Sequence, residues 1–352
     1  MQTFEGHTHW VLGVIPLPER QRIITCSSDG SLRVWDLETG NQIAEWQDGG
    51  SAVRAIALAP DGKKVASGSD DGAVRLWSIE TGKVIAKWTG HTKTVESVCW
   101  SGDGRRVLSG SCDGTVRVWD VESEKTVIEI ETGLSEVWAA IYSPDTTIIV
   151  TGGRSDSEEA RRIKIWNAES GKLISDLGGH ASRVNCLAWT ADGTTLVSGS
   201  FDDSVRTWNT TTWQQVSLLT AHIHSVHDIA ISPDGRILAS ASWDQTVQLW
   251  NLESGQLFNS PLHHASDVNC VSFSTDGKLL LTGCDDRNAY AWDLSAIFDE
   301  AGTDLLPLSP DVSHLSISSL STEPTIPGPW LGKVVPPCSR LAYKSALFSL
   351  TI

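Results

Sequence analysis

Apolar and polar residues alternate in short runs along most of the chain, and each run ends at a turn signal. The phrases APDGKKVASGS, SGDGRRVLSGS, TADGTTLVSGS, SPDGRILASAS and STDGKLLLTGC share one layout, a Pro-Asp-Gly or x-Asp-Gly turn followed by an alternating, β-branched run. Such alternation marks half-buried strands, and Asp-Gly is the turn chemistry that joins antiparallel ones. A second turn, SxDG or a relative, precedes a second set of strand-like runs: SLRVWD, AVRLWS, TVRVWD, RIKIWN, SVRTWN, TVQLWN and NAYAWD. The pattern predicts units of four short strands joined by tight turns, an all-β array.

The units recur at a fixed period. Trp35, Trp77, Trp119, Trp166, Trp208, Trp250 and Trp292 are separated by 42, 42, 47, 42, 42 and 42 residues. Ten residues before each lies a hydroxyl: Thr25, Ser67, Ser109, Ser198, Ser240 and Thr282, with Thr151 in the fourth unit once a five-residue insertion is allowed for. Six residues before lie Asp29, Asp71, Asp113, Asp202, Asp244 and Asp286, with none in the fourth unit. Twenty-eight before lie His7, His91, His180, His222 and His264, whereas Gly49 and Gly133 hold that place in units two and four. Composition sharpens the picture: 16 Trp stand beside 6 Phe and 3 Tyr, so tryptophan serves a repeated purpose.

This pattern, Gly-His to Trp-Asp at about 42 residues, resembles the WD-repeat (WD40) family. The resemblance covers residues 1–295 and implies a seven-bladed β-propeller, each blade a four-stranded antiparallel sheet around a central channel. In that family each sequence repeat supplies the outer strand of one blade and the three inner strands of the next. Here residues 2–5, QTFE, align with AKWT before Gly90-His91, so they are expected to add the outer strand to blade seven and close the ring. Closure removes the open sheet edges that invite aggregation.

Asp, His, hydroxyl and Trp in one unit could be read as a charge relay with a nucleophile. The resemblance implies instead a structural tetrad, in which Asp and the hydroxyl engage the two His nitrogens and the hydroxyl engages the indole N–H. Five complete copies are expected: His7, Thr25, Asp29 and Trp35; His91, Ser109, Asp113 and Trp119; His180, Ser198, Asp202 and Trp208; His222, Ser240, Asp244 and Trp250; His264, Thr282, Asp286 and Trp292. Recurrence argues against catalysis, because an active site is normally unique whereas a packing device appears in every unit. Blades two and four are expected to be the softest, with Asp71 turned toward backbone N–H groups or solvent.

The remaining composition narrows the function classes. A formal charge of −16, with 27 Lys plus Arg against 43 Asp plus Glu, gives no general reason to bind a polyphosphate backbone. Many carboxylates lie in Asp-Gly turns, so the charge reads as a solvated rim. No apolar run has membrane-spanning length, and the start MQTFEGHTHW lacks the layout of a signal peptide, which leads to the expectation of a cytoplasmic or nuclear protein. The seven cysteines contain no CxxC pair and read as reduced, mostly buried residues. His222, His224 and His227 with His263 and His264 invite a metal reading, but two of them are tetrad members and the others fit a loop entering a strand. No metal and no cofactor are expected.

The resemblance also says where function would live. In the family, the loop before the innermost strand and the hairpin before the Trp strand open on the narrower "top" of the disc, the usual partner surface. The columns projecting there yield Trp10, Arg54, Glu96, Glu136, Trp138, Arg183, Asn185, Phe201, His227, Trp243, Asp267 and Asp285 as candidate partner-binding residues. Trp138, Phe201 and Trp243 fall on consecutive blades, with Arg183 and His227 among them, and aromatic residues and Arg are enriched at interaction hot spots. The competing reading is that these rings merely cover the channel. The charged insertion at 154–162 opens on the same face, either as a specificity loop or as tolerated surface drift.

After Leu294 the composition turns Ser-, Thr- and Pro-rich, so residues 296–352 read as a disordered tail ending in the apolar stretch LAYKSALFSLTI. The near-consensus repeats look like the propellers of fungal NACHT-type incompatibility receptors. That resemblance implies a non-enzymatic interaction platform that binds a protein or peptide on its top face as the sensor part of a signalling system; the sequence does not give the oligomeric state, and a monomer is the expectation for the chain in isolation. The alternative is a fixed subunit of a G-protein β-like, ubiquitin-ligase or chromatin assembly, although neither a heptad segment nor an F-box-like segment is found. A propeller enzyme would need a unique catalytic set at the channel, and the sequence offers none.

Overall fold

The computed structural model describes residues 1–18, 21–47, 49–155 and 163–300. Within them the chain forms seven four-stranded antiparallel sheets, each built from strands consecutive in sequence except the last. Blade one, for example, comprises Val11–Leu17, Arg22–Ser27, Ser31–Asp36 and Gln42–Gln47. Each innermost strand packs against that of the next blade, and the innermost strand of blade seven packs against that of blade one, which closes a ring. The seventh sheet takes Gln2–Phe4 as its outer strand, paired with Ala289–Asp293 in the register Gln2↔Ala291 and Phe4↔Ala289. The expected closure by the N-terminal strand is therefore what forms.

The Gly of the Ser-Gly-Ser phrase explains how closely the blades stack. A Cβ on Gly110 would lie 2.7 Å from Val137 of the following blade, and Gly68, Gly152, Gly199 and Gly283 meet Val95, Val184, Val226 and Val11 at 2.6 or 2.7 Å. These glycines are retained because the next blade's valine fills the space of a side chain. The core is accordingly a set of interblade layers, each mixing residues of two neighbouring sheets, such as Leu12, Ile24 and Trp46 with Val53, Ile56 and Trp77.

In all seven blades the first strand pair carries a register shift at its top end, between Val11/Gly13, Val53/Ala55, Val95/Ser97, Val137/Ala139, Val184/Cys186, Val226/Asp228 and Val268/Cys270. The residue skipped by the ladder is Leu12, Arg54, Glu96, Trp138, Asn185, His227 or Asn269. A bulge leaves its extra residue unpaired and re-aims the side chain.

Beyond the last blade strand, the expected boundary at 295 does not hold as drawn. Leu294–Glu300 forms a helix, and Phe298 is buried against Phe258 of blade six with ring centroids 5.5 Å apart. Leu294, Ile297 and Phe298 share one face of that turn and join the core of blades six and seven, so the propeller unit extends to the helix. Residues 301–352 lie outside the described residues, as do 156–162 of the insertion.

Candidate functional site

The expected tetrad residues lie within hydrogen-bonding distance of one another in four blades. In blade one His7 Nδ1 lies 2.8 Å from Asp29, His7 Nε2 2.7 Å from the Thr25 hydroxyl, and Trp35 Nε1 donates to that hydroxyl at 2.8 Å. Blades three, five and six repeat this with His91, His180 and His222, at 2.7 to 3.0 Å from their carboxylates and 2.7 or 2.8 Å from their hydroxyls. The proton order that satisfies every group runs from indole N–H to hydroxyl oxygen, hydroxyl to Nε2, and Nδ1–H to carboxylate. Burial opposes the charge on Asp244, but bonds from His222, Thr246 and the Ile223 amide outweigh it and hold the carboxyl down at about 2. The hydroxyls of Thr25, Ser109, Ser198 and Ser240 are fully buried and also accept from the indole N–H, so these four networks are closed off from solvent and serve the packing of the blades.

Blade seven departs from the expected fifth tetrad. His264 Nε2 meets Thr282 at 2.9 Å, yet Asp286 accepts instead from the Tyr290 hydroxyl at 2.5 Å, and the Trp292 to Thr282 bond stretches to 3.3 Å. Two local residues account for this. Intact tetrads carry Gly or Ala before the histidine, and a Cβ on Gly90 would come 2.9 Å from Arg117 and 3.1 Å from the Trp119 ring. His263 stands there in blade seven, so His264 is displaced, and Tyr290 replaces the basic residue found at that position in blades one to five.

That position, two residues before the tetrad tryptophan, was missed in the sequence. Arg33 and Arg117 face Glu45 and Glu129 across the outer strand pair and bridge to them at 3.4 and 2.6 Å. Arg75 faces Lys87, which repels it, and it binds Asp71 instead through both nitrogens at 3.0 and 2.5 Å. Asp71 also accepts from the Ala73 amide, as expected, but it turns mainly to Arg75 rather than to solvent. In blade four Lys164 donates to the Thr132 carbonyl at 2.5 Å beside Gly133.

At the channel mouth six of the twelve candidates come together, two of them, Trp138 and His227, from the bulges. The Arg183 guanidinium lies 3.9 Å over the Trp138 ring and 4.8 Å over Phe201, bridging blades four and five. Phe201 meets Trp243 edge-on at 6.2 Å, and Trp243 stacks on His227 at 4.8 Å. Trp138 Nε1 donates to Glu136 at 2.9 Å, and Glu136 lies 3.6 Å from Arg154. A cavity of about 230 Å³ opens between Arg154, Ser155, Ser182, Arg183 and Phe201. Phe201 is 41% exposed, whereas Trp138, Arg183 and Trp243 are half-buried and His227 is buried; Arg183 and Phe201 are the members of the row that line the cavity.

Other candidates fall elsewhere. Asn185 is fully buried and donates to Ser225 and the Val226 carbonyl, so it ties blade five to blade six instead of facing a partner. Glu96 and His227 are also buried at the mouth. Burial raises the Glu96 carboxyl against the lowering charge of Arg54, and burial lowers His227 to about 4. Arg54 is committed to Asp70 through two bonds of 2.6 and 3.1 Å. Asp267 and Asp285 form an acidic pair on blade seven: burial and then the Asp285 charge raise Asp267, while burial raises Asp285 against the lowering bond from Asn269. Trp10 stands apart, 45% exposed, against His9.

Seven antiparallel blades with a recurring His, Asp, hydroxyl and Trp network define a repeat propeller with a row of non-repeating aromatic residues at its top mouth. A family model described as WD domain, G-beta repeat, matches residues 1–36, 40–78, 82–120, 171–209, 213–251 and 255–293, well over half of the chain. The chain belongs to the WD40 family. The fourth repeat, which lacks Asp and His and carries the insertion, is the one left unmatched. No curated protein matches the chain in sequence. Proteins of this family are generally non-catalytic and typically bind proteins or peptides, and among the described residues no helix is long and apolar enough to cross a membrane.

Proposed function

We propose that this propeller is a non-enzymatic scaffold that binds a protein or peptide on the top of blades four to six. The observation that carries the reading is Arg183 stacked between Trp138 and Phe201 and open to the cavity beside Arg154. A cation held over aromatic faces is oriented before a partner arrives, which reduces the side-chain ordering cost of binding. The finer reading, the sensor part of a signalling or incompatibility system, rests on the near-consensus repeats. Affinity capture with wild type beside the Trp243→Ala, Arg183→Glu double variant tests the site. Partners lost only with the variant, at a melting temperature within about 3 °C of wild type, support it; equal capture by both places binding elsewhere.

A further inference from the structure

The bottom of the disc carries a second irregular place, on blades three to five. Two neighbouring cavities of about 80 and 330 Å³ share Ser143, Pro144, Trp189 and Ala191, and the smaller is also lined by Trp100 and Tyr142. Trp100 Nε1 is spent on the Ala57 carbonyl. The Tyr142 hydroxyl and Trp189 Nε1 line the same groove, are themselves buried, and have no hydrogen-bond partner. Tyr142 is only 7% exposed, so its hydroxyl is a polar group held in a largely apolar wall without a protein acceptor or donor. Such a group normally costs stability unless something supplies the missing bond.

The rim of this groove differs in charge from the rest of the face. Each lower turn of blades two to seven bears a carboxylate: Asp61, Asp103, Asp145, Asp192, Asp234 and Asp276. Blades two, three, six and seven follow it with Lys63, Arg105, Arg236 or Lys278, whereas blades four and five follow with threonines. Local hydroxyl and amide bonds outweigh burial and hold Asp145 and Asp192 ionised, so the groove joins an apolar pocket between Trp100, Tyr142 and Trp189 to a polar, negatively charged edge.

The chain itself contains a segment of matching chemistry. Residues 333–352, KVVPPCSRLAYKSALFSLTI, hold Lys333, Arg340 and Lys344, no carboxylate side chain, and a run of apolar residues. The chain leaves the propeller on the lower face, where the Leu294 amide bonds the Lys278 carbonyl in the turn of blade seven. From residue 300 the intervening chain can span on the order of 100 Å, against a radius of gyration of about 19 Å for a compact unit of about 300 residues. We infer that residues 333–352 dock in the lower groove of blades three to five, their cations against Asp145 and Asp192 and their apolar side chains between Trp100, Tyr142 and Trp189.

The test uses the full chain with a benzoyl-phenylalanine photocross-linker in place of Phe348, and mapping of the linked peptides by mass spectrometry. Links within one molecule to peptides containing Trp100, Tyr142 or Trp189 are expected. Asp145→Lys with Asp192→Lys should lower their yield about fivefold, as two reversed surface charges would, and Asp234→Lys, the same turn substitution on blade six, should leave it unchanged. Links only between molecules mean that a second copy occupies the groove. Links elsewhere, no links, or equal loss with the Asp234 control overturn the inference.

Discussion

Blades three and four share a fold but not an interior. In blade three, His91 joins Asp113 at 3.0 Å to Ser109 at 2.8 Å, and each member of the tetrad has a partner. In blade four, Trp166 still donates to Thr151 at 2.9 Å, but the histidine and carboxylate are both gone. The corner is fixed differently, with Thr132 donating to the Gly114 carbonyl at 2.7 Å and Lys164 closing on Thr132. The indole and hydroxyl are thus the constant part of the device, present in all seven blades. His and Asp are kept together in blades one, three, five and six and are lost together in blade four; where they do not pair, another donor takes the carboxylate, Arg75 on Asp71 in blade two and Tyr290 on Asp286 in blade seven.

The largest effect should follow from breaking that unit in blade three. His91→Phe strands Asp113 and the Ser109 hydroxyl and should cost about 2–4 kcal/mol, seen as a fall in melting temperature of the full chain. Adding a histidine to blade four should not give the reverse gain. Gly133 has φ of +71°, a conformation that a side chain strains, and no carboxylate waits for the ring. Gly133→His should therefore destabilise by about 1 kcal/mol, and a gain would show that the tetrad can be rebuilt piecemeal.

Blade two offers an intermediate case. Arg75→Leu leaves Asp71 with Lys87 at 3.5 Å and should cost about 1–2 kcal/mol. Lys87→Glu should separate the two roles of the arginine, because a cross-strand carboxylate would draw Arg75 toward the place Arg117 takes in blade three. A double-mutant cycle between Asp71 and Arg75 reads this as a coupling energy that shrinks when residue 87 is acidic.

The blades, their number and the closing strand were legible because each rests on a local pattern repeated seven times. Four tetrads were legible for the same reason. The fifth was not, since its failure depends on His263 and Tyr290, residues outside the four conserved columns that act through contact. The place of Arg75 depends on the residue paired across the strand, which a column reading does not see. At the top face, the candidate columns were found by spacing, but spacing could not tell the buried Asn185 from the half-buried Arg183 two residues before it. That difference arises between neighbouring blades, where Asn185 finds Ser225 and Arg183 finds two rings. The helix after blade seven did have a signal, the apolar Leu294, Ile297 and Phe298 at helical spacing, hidden by the Ser- and Pro-rich composition that follows.

The smallest effect on stability, and the sharpest on protonation, should come from Tyr290→Phe. Asp286 then loses its hydroxyl donor and becomes available to His264, which burial now holds at about 4. In wild type the unfolded imidazole takes up a proton below about 6.5 while the folded one stays neutral until about 4. Stability from this group is therefore lost as pH falls through that window, in which the unfolded state binds the extra proton. If the variant pairs His264 with Asp286, the histidine pKa rises toward the ordinary value and that proton uptake disappears, while stability at neutral pH changes by less than about 1 kcal/mol. Proton NMR titration of the histidine reads the shift directly. An unchanged value near 4 would mean that His263, not Tyr290, keeps the carboxylate out of reach, and His263→Gly would then be the substitution that completes the fifth tetrad.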